Sequence, residues 1–197
     1  KGSFLNKHEI NMRAELDVNR IASFLFEVGM LRRTPRSGFA FLGSGNQSVA
    51  EHILRVAYIG FVLARMEEEA DMEKLLLMCL FHDVNKRYVS ADEEKATADI
   101  ARELFFGDEL KRIIGEFNQG TTTEARLAWD ADQLDMILEL KEQQDMGNRY
   151  APEWLRYAVA RLKTQAGKNL ARAILETDWA AWWFTRDDNW WVNAKDR

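Results

Sequence analysis

The stretch Asp71-Met72-Glu73-Lys74-Leu75-Leu76-Leu77-Met78-Cys79-Leu80-Phe81-His82-Asp83-Val84 is apolar on nearly every side of a helical wheel from Leu75 onward. A helix with that profile has no face to offer water, so it is expected at the centre of a core. It ends in an imidazole and a carboxylate side by side, which apolar surroundings tolerate only if the two are paired. Elsewhere the chain holds two prolines, Pro35 and Pro152. Strand signals are scarce and apolar residues recur at helical spacing. The fold class is therefore expected to be all-α.

The flanking segments read the same way. Leu16 to Met30 is expected as a first helix, with Leu16, Ile21, Leu25 and Val28 among its apolar positions. The polar, Gly-rich connector Arg32 to Gln47 is expected as a long loop, and long loops in compact domains are often functional. Ser48 with Glu51 forms a capping-box signature opening a helix to about Glu69. Ser90 with Glu93 repeats it and opens a helix to about Phe106, before a short helix from Asp108 to Phe117. Thr121 to Thr123 starts a long helix that Gly147-Asn148 stops after about Met146. Pro152 suits the first turn of a helix running to about Thr164, and a last helix runs from after Gly167 to about Phe184. No repeat or linker divides the chain. One domain is expected over residues 1–197, with a bundle-like core at about 16–185 and an aromatic tail at 186–197.

Composition narrows the function. A chain of 197 residues with 47% hydrophobic content can build one sizeable core. Its net charge of −5 argues against a nucleic-acid binder. It leaves room for a small anion held by a metal and a few Arg or Lys. The single cysteine, Cys79, lies in an apolar run and cannot close an internal disulfide, which fits a buried thiol in a reducing, cytoplasmic setting. No run approaches the ~18 apolar residues of a membrane span. No membrane partner is expected.

Three histidines are present, and His8 stands alone in the N-terminal segment. His52 and His82 each sit in an otherwise apolar helical stretch. One reading is a buried His–Asp hydrogen bond with no further role; the other is a ligand set. Asp130 and Asp132 fall in the middle of the long helix, about 200° apart, so both are not expected to face inward. Asp132 is the better inward candidate, and Asp130 is expected to meet solvent or cap a neighbour. Two neutral imidazoles with two carboxylates make a mixed N/O site, suited to Mn²⁺, Fe²⁺, Co²⁺, Ni²⁺ or Zn²⁺ better than to Mg²⁺. Such an ion could acidify water and polarise a phosphoryl oxygen.

Ser48-Val49-Ala50-Glu51-His52, then His82-Asp83, then Asp130-Ala131-Asp132-Gln133-Leu134 resemble the H…HD…D order of HD-domain phosphohydrolases, closest to the small 5′-deoxynucleotidases of that superfamily. The resemblance runs from about Ala22 to Phe184. It implies a single HD-domain helical bundle, usually a homodimer, that hydrolyses nucleoside 5′-monophosphates to nucleoside and phosphate. It also implies one divalent metal ion on His52, His82, Asp83 and Asp132, with the attacking water at the metal beside Asp83. An arginine in the loop before the first His contacts the phosphate in that family. Arg36 is the first candidate here and Arg33 the second, the alternative being exposed surface arginines.

One departure stands out. The family continues from His-Asp through two residues to a Glu that helps activate the water, and then to a Thr-Gly-Asp segment. Here His82-Asp83-Val84-Asn85 runs into Lys86-Arg87-Tyr88, so the Glu position is Lys86 and no Thr-Gly-Asp follows. Lys86 is itself a candidate phosphate contact, with Lys95 a weaker one. Either the catalytic segment is absent, which leaves a metal- or nucleotide-binding module without turnover, or a mobile loop belongs between Asn85 and Lys86 and the given sequence is closed over it. The second reading is preferred, because Val84-Asn85 joined to Lys86-Arg87 leaves almost no turn between two helices. A different phosphoester, such as a nucleoside triphosphate or cyclic nucleotide, is the alternative substrate. Trp179, Trp182 and Trp183 are expected in the core or in a subunit contact, with Trp190 and Trp191 beyond them.

Overall fold

The computed structural model describes residues 7–86 and 92–184, with side chains from Val18 onward. Every element among them is helical apart from one isolated bridge, Pro35 to Ser48. Helix α1 spans Lys7–Gly29 and passes into a 3-10 turn, Met30–Arg33. Then come α2 (Gly38–Leu42), α3 (Val49–Met66), α4 (Met72–Phe81), α5 (Glu93–Ala101), α6 (Gly107–Gln119), α7 (Thr123–Asp145), α8 (Ala151–Ala160), α9 (Gln165–Glu176) and α10 (Ala181–Phe184). No helix among the described residues is long and apolar enough to cross a membrane.

Caps set the starts of the helices that carry the site. Ser48 Oγ accepts from the Glu51 backbone N–H while the Glu51 carboxylate accepts from the Ser48 N–H at 2.7 Å, a complete capping box on α3. Asp71 caps α4 and Thr122 caps α7, each by accepting the N–H three residues on. Helix α7 is the axis of the molecule, packed against α3, α4, α6, α8 and α9. The larger core gathers Val56, Leu63, Leu75, Met78, Leu127, Leu134 and Ile137 from α3, α4 and α7. A second gathers Phe24, Val49, Ile53, Val84, Ile100 and Ile114 from α1, the start of α3, the turn after α4, α5 and α6. Phe81 packs against both. At Gly60 a Cβ would lie 2.5 Å from Cys79 Sγ, so only glycine lets α3 and α4 approach this closely.

Several expectations change. Leu25 is exposed and Phe24 takes the inward place on α1. The Arg32–Gln47 connector contains a helical turn, α2, which buries Phe39 and Leu42 against the core. The cap of α5 is Asp92, accepting from Lys95 N at 2.8 Å; Ser90 lies outside the described residues. The C-terminal helix is split: α9 starts at Gln165 behind a Thr164 cap and ends at Glu176. Helix α4 does sit between α3, α6 and α7, but Leu80 stays exposed. Trp179, Trp182 and Trp183 are exposed rather than in the core, while Trp190, Trp191 and the His8 side chain lie outside the described residues.

Candidate metal centre

His52 comes from the first turn of α3, one turn past its capping box, and is fully buried. His82 closes α4, and Asp83 follows in the turn that leaves it. Asp132 comes from the middle of α7. The two imidazoles turn the same atom towards one place: His52 Nε2 and His82 Nε2 are 3.1 Å apart. Asp132 Oδ1 is 3.1 Å from His52 Nε2, and the Asp83 oxygens stand 3.9 and 3.8 Å from the two Nε2 atoms. Ligand atoms of His52, His82 and Asp83 all fall within 4.8 Å of one another.

The other ring nitrogens fix which tautomer each histidine adopts. His82 Nδ1 is 2.9 Å from the Cys79 carbonyl oxygen, which only accepts, so Nδ1 carries the proton. His52 Nδ1 lies 2.6 Å from Asp135 Oδ2 and 2.7 Å from Arg36 Nη1; the shorter contact, to the buried carboxylate, places the proton on Nδ1. With both rings in that form the two Nε2 lone pairs face one point, where no group among the described residues donates to both. A divalent cation resolves that arrangement. Metal–nitrogen bonds of about 2.0–2.1 Å to adjacent ligands are compatible with a 3.1 Å separation. The donor set fits a transition metal of the mixed N/O class.

Protonation follows from these neighbours. Burial holds the His82 pKa below its usual value. Burial pulls His52 down too, but the neighbouring Asp132 and Asp135 carboxylates favour its protonated form, outweigh that and raise it. Burial would raise Asp132, yet the His52 hydrogen bond and the charges of His82, His52 and Arg36 bring it down to about 2. The Asp132 carboxylate is therefore ionised throughout the physiological range. Burial pushes the Cys79 thiol up to about 12, so it is a packing residue and no ligand.

A cavity of about 560 Å³ opens on this cluster, with Arg36, Asp83, Lys86 and Asp132 on its wall. Arg36 Nη1 donates to Asp135 Oδ2 and to Gln47 Oε1, each at 2.9 Å, while its Nη2 stands 3.9 Å from Asp132. Arg33 is exposed and lines a neighbouring groove instead. Lys86 Nζ is 2.9 Å from Asp83 Oδ1. Lys95 is exposed and off the cavity wall.

Asp130 meets no solvent. It is fully buried on the far side of α7, accepting from Lys163 N and Thr164 N at 2.7 Å and from Thr164 Oγ1 at 2.6 Å, so of the two expectations the capping one holds. Both aspartates have protein around them because α7 is surrounded on opposite sides. Asp132 is in fact the more open, with 27% of its side chain exposed to the cavity. Reasoning from the sequence missed Asp135, although its place three residues after Asp132 puts it on the same helix face. It also missed Gln47 and Asn85. Asn85 Nδ2 donates to Thr97 Oγ1 at 3.0 Å and ties the turn after His82-Asp83 to α5. The suspected loop junction, Asn85 to Lys86, runs as a turn in which Lys86 N–H donates to the Asp83 carbonyl at 3.0 Å, while Arg87 and Tyr88 lie outside the described residues.

Residues 28–174, which contain the whole cluster, match the family model of the HD domain. The chain belongs to the HD-domain family. It is 27% identical over 146 residues to the 5′-deoxynucleotidase HDDC2 of Bos taurus, covering 66% of this chain and 70% of that one. The crystal structure of the PH0347 protein from Pyrococcus horikoshii aligns with a TM-score of 0.66 at 26% identity, covering 79% of this chain and 98% of that one. An HD-domain phosphohydrolase from Listeria innocua has the same fold, with a TM-score of 0.68 over 89% of this chain and 96% of that one at 19% identity.

Proposed function

We propose that this HD-domain protein is a metal-dependent phosphohydrolase that releases phosphate from (deoxy)nucleoside 5′-monophosphates, with one divalent transition metal held by His52, His82, Asp83 and Asp132. The observation that carries the reading is the convergence of two Nδ1-protonated imidazoles, Nε2 to Nε2 at 3.1 Å, beside two carboxylates at the floor of a cavity. When bound, the ion supplies positive charge for a water and a phosphoryl oxygen. The chain's own residues do the rest. Arg36, anchored on Asp135 and Gln47, presents its guanidinium to the phosphate dianion. Lys86 adds a second positive charge beside Asp83. Asp83 and Asp132 orient the attacking water. The cavity, about 560 Å³, lies within the range of small-ligand sites and has room for a nucleoside beyond the phosphate. The naming of the HDDC2 relative as a 5′-deoxynucleotidase supports this substrate class.

The test is phosphate release from a panel of nucleoside 5′-monophosphates, with Mn²⁺, Co²⁺ or Mg²⁺ added back after chelation. Release that requires a metal supports the proposal. A second reading is favoured by Lys86, which places a cation where the family has a carboxylate base: a metal-dependent nucleotide-binding module without turnover. Tight nucleotide binding with no phosphate released under any metal selects it.

A further inference from the structure

We propose that Asp135 is a positioning residue that holds the metal-facing His52 and the phosphate-facing Arg36 on one carboxylate, so that metal affinity and phosphate affinity depend on it together. The inference rests on the metal and phosphate assignments above. Asp135 is fully buried and is not on the cavity wall, so it touches neither a metal nor a substrate. Its Oδ2 accepts from His52 Nδ1 at 2.6 Å and from Arg36 Nη1 at 2.9 Å. Its Oδ1 accepts from Arg55 Nε at 2.6 Å. Gln47 Nε2 reaches both oxygens, at 3.2 and 3.0 Å.

A buried carboxylate carrying this many donors is fixed from every side. Arg55 is pinned in turn by Glu139 and, at 2.7 Å, by Glu142, on the same face of α7 and away from the cavity. The brace therefore exists before any ligand arrives. A carboxylate on the far nitrogen of a ligating imidazole locks its ring plane and makes the near nitrogen a stronger donor, and loss of such a partner typically weakens metal binding 10–100-fold. Sharing Oδ2 with Arg36 extends the same brace to the group that meets the phosphate.

The test uses Co²⁺ and inorganic phosphate with the whole chain, and needs no turnover. Asp135→Asn is expected to raise the Co²⁺ dissociation constant about 10–100-fold by chelator competition and to shift the visible Co²⁺ bands. It is also expected to weaken phosphate binding to the Co²⁺-loaded protein. Asp130→Asn, at the other buried aspartate of α7, is the control: it lowers the melting temperature but leaves Co²⁺ affinity, spectrum and phosphate binding as in the parent. If Asp135→Asn does not fold, Asp135→Glu decides by the same readouts, since it keeps the charge facing Arg55 and displaces the carboxylate from His52. A folded Asp135 variant with parental Co²⁺ affinity and spectrum overturns the inference while the metal site stands. A parent protein that takes up no divalent ion overturns the metal reading itself, and this inference with it.

Discussion

His52 and His82 hold their Nε2 atoms 3.1 Å apart while each Nδ1 donates to a group that only accepts, the Asp135 carboxylate and the Cys79 carbonyl. Two lone pairs aimed at one point repel unless a proton or a metal cation lies between them. The fold supplies that geometry by bringing the start of α3 against the end of α4, with glycine at position 60 where the helices touch. Phe81, one residue before His82, packs against both apolar cores, so the end of α4 is seated where the two cores meet.

Asp83, one of the two carboxylates proposed to hold the metal, is itself paired with Lys86. Asp83→Ala removes an anionic ligand that a divalent ion requires. We expect the variant to lose both bound metal after gel filtration and metal-dependent phosphate release. Full activity in this variant would remove Asp83 from the site.

Read without a gap after Asn85, Lys86 takes the position where the resembling family carries its water-activating Glu, and its Nζ lies 2.9 Å from Asp83. Lys86→Glu exchanges a cation for a proton acceptor at the mouth of the cluster. Positioned acid–base groups contribute about 10²–10⁴-fold to rate. We expect phosphate release from a nucleoside monophosphate to rise at least about 10-fold in the variant with Mn²⁺ or Co²⁺. A further loss of activity instead would show that the lysine's contact with the phosphate matters more than a base at this place.

Away from the site, Lys74 on α4 pairs with Glu116 on α6 and, at 3.3 Å, with Glu124 on α7. Burial alone would raise both glutamates, but hydrogen bonds outweigh it: those from Lys74 and Thr122 at Glu116, and those from the Asp71 and Glu124 N–H groups and from Lys74 at Glu124. Both pKa values fall below the usual 4.5. A carboxylate whose folded pKa is depressed contributes stability above its unfolded pKa and loses it as pH falls through the folded one. Lys74→Met is therefore expected to lower the melting temperature at pH 7. The gap to the parent should close as pH falls from about 5 towards 3. A gap independent of pH would assign the loss to packing of the lysine stem.

The sequence carried the helical class, the capping box at Ser48, the cap at Thr122, and the segments that meet at the cluster, because those depend on local chemistry and apolar period. It carried Asp132 as the inward candidate but not Asp135, which holds His52 and Arg36. Asp135 sits in Leu134-Asp135-Met136 with no motif around it, and its meaning comes from Gln47, His52 and Arg55, each 80 or more residues away. The short helix α2 was hidden for a similar reason. Gly38-Phe39-Ala40-Phe41-Leu42 is too short for periodicity to register and folds because Phe39 and Leu42 find a core to bury in.

Asp130 separates structure from function on the same helix. Its two oxygens accept the Lys163 and Thr164 N–H groups and the Thr164 hydroxyl, which starts α9 and ties it to α7. At Gly167 a Cβ would lie 2.3 Å from Asp130 Oδ2, so this glycine is what lets the carboxylate reach the turn. Asp130→Ala leaves two part-buried N–H groups and the Thr164 hydroxyl without their acceptor, at about 1 kcal/mol or more each. A total of roughly 3 kcal/mol corresponds to a melting temperature lower by about 6–12 °C in a chain of this size. Gly167→Ala is expected to destabilise by displacing the same carboxylate. The double variant should then lose less than the sum of the two, because both break one interaction. Metal affinity should stay at the parental value in all three. Additive losses, or a fall in Co²⁺ affinity with Asp130→Ala, would show that the two faces of α7 are not independent.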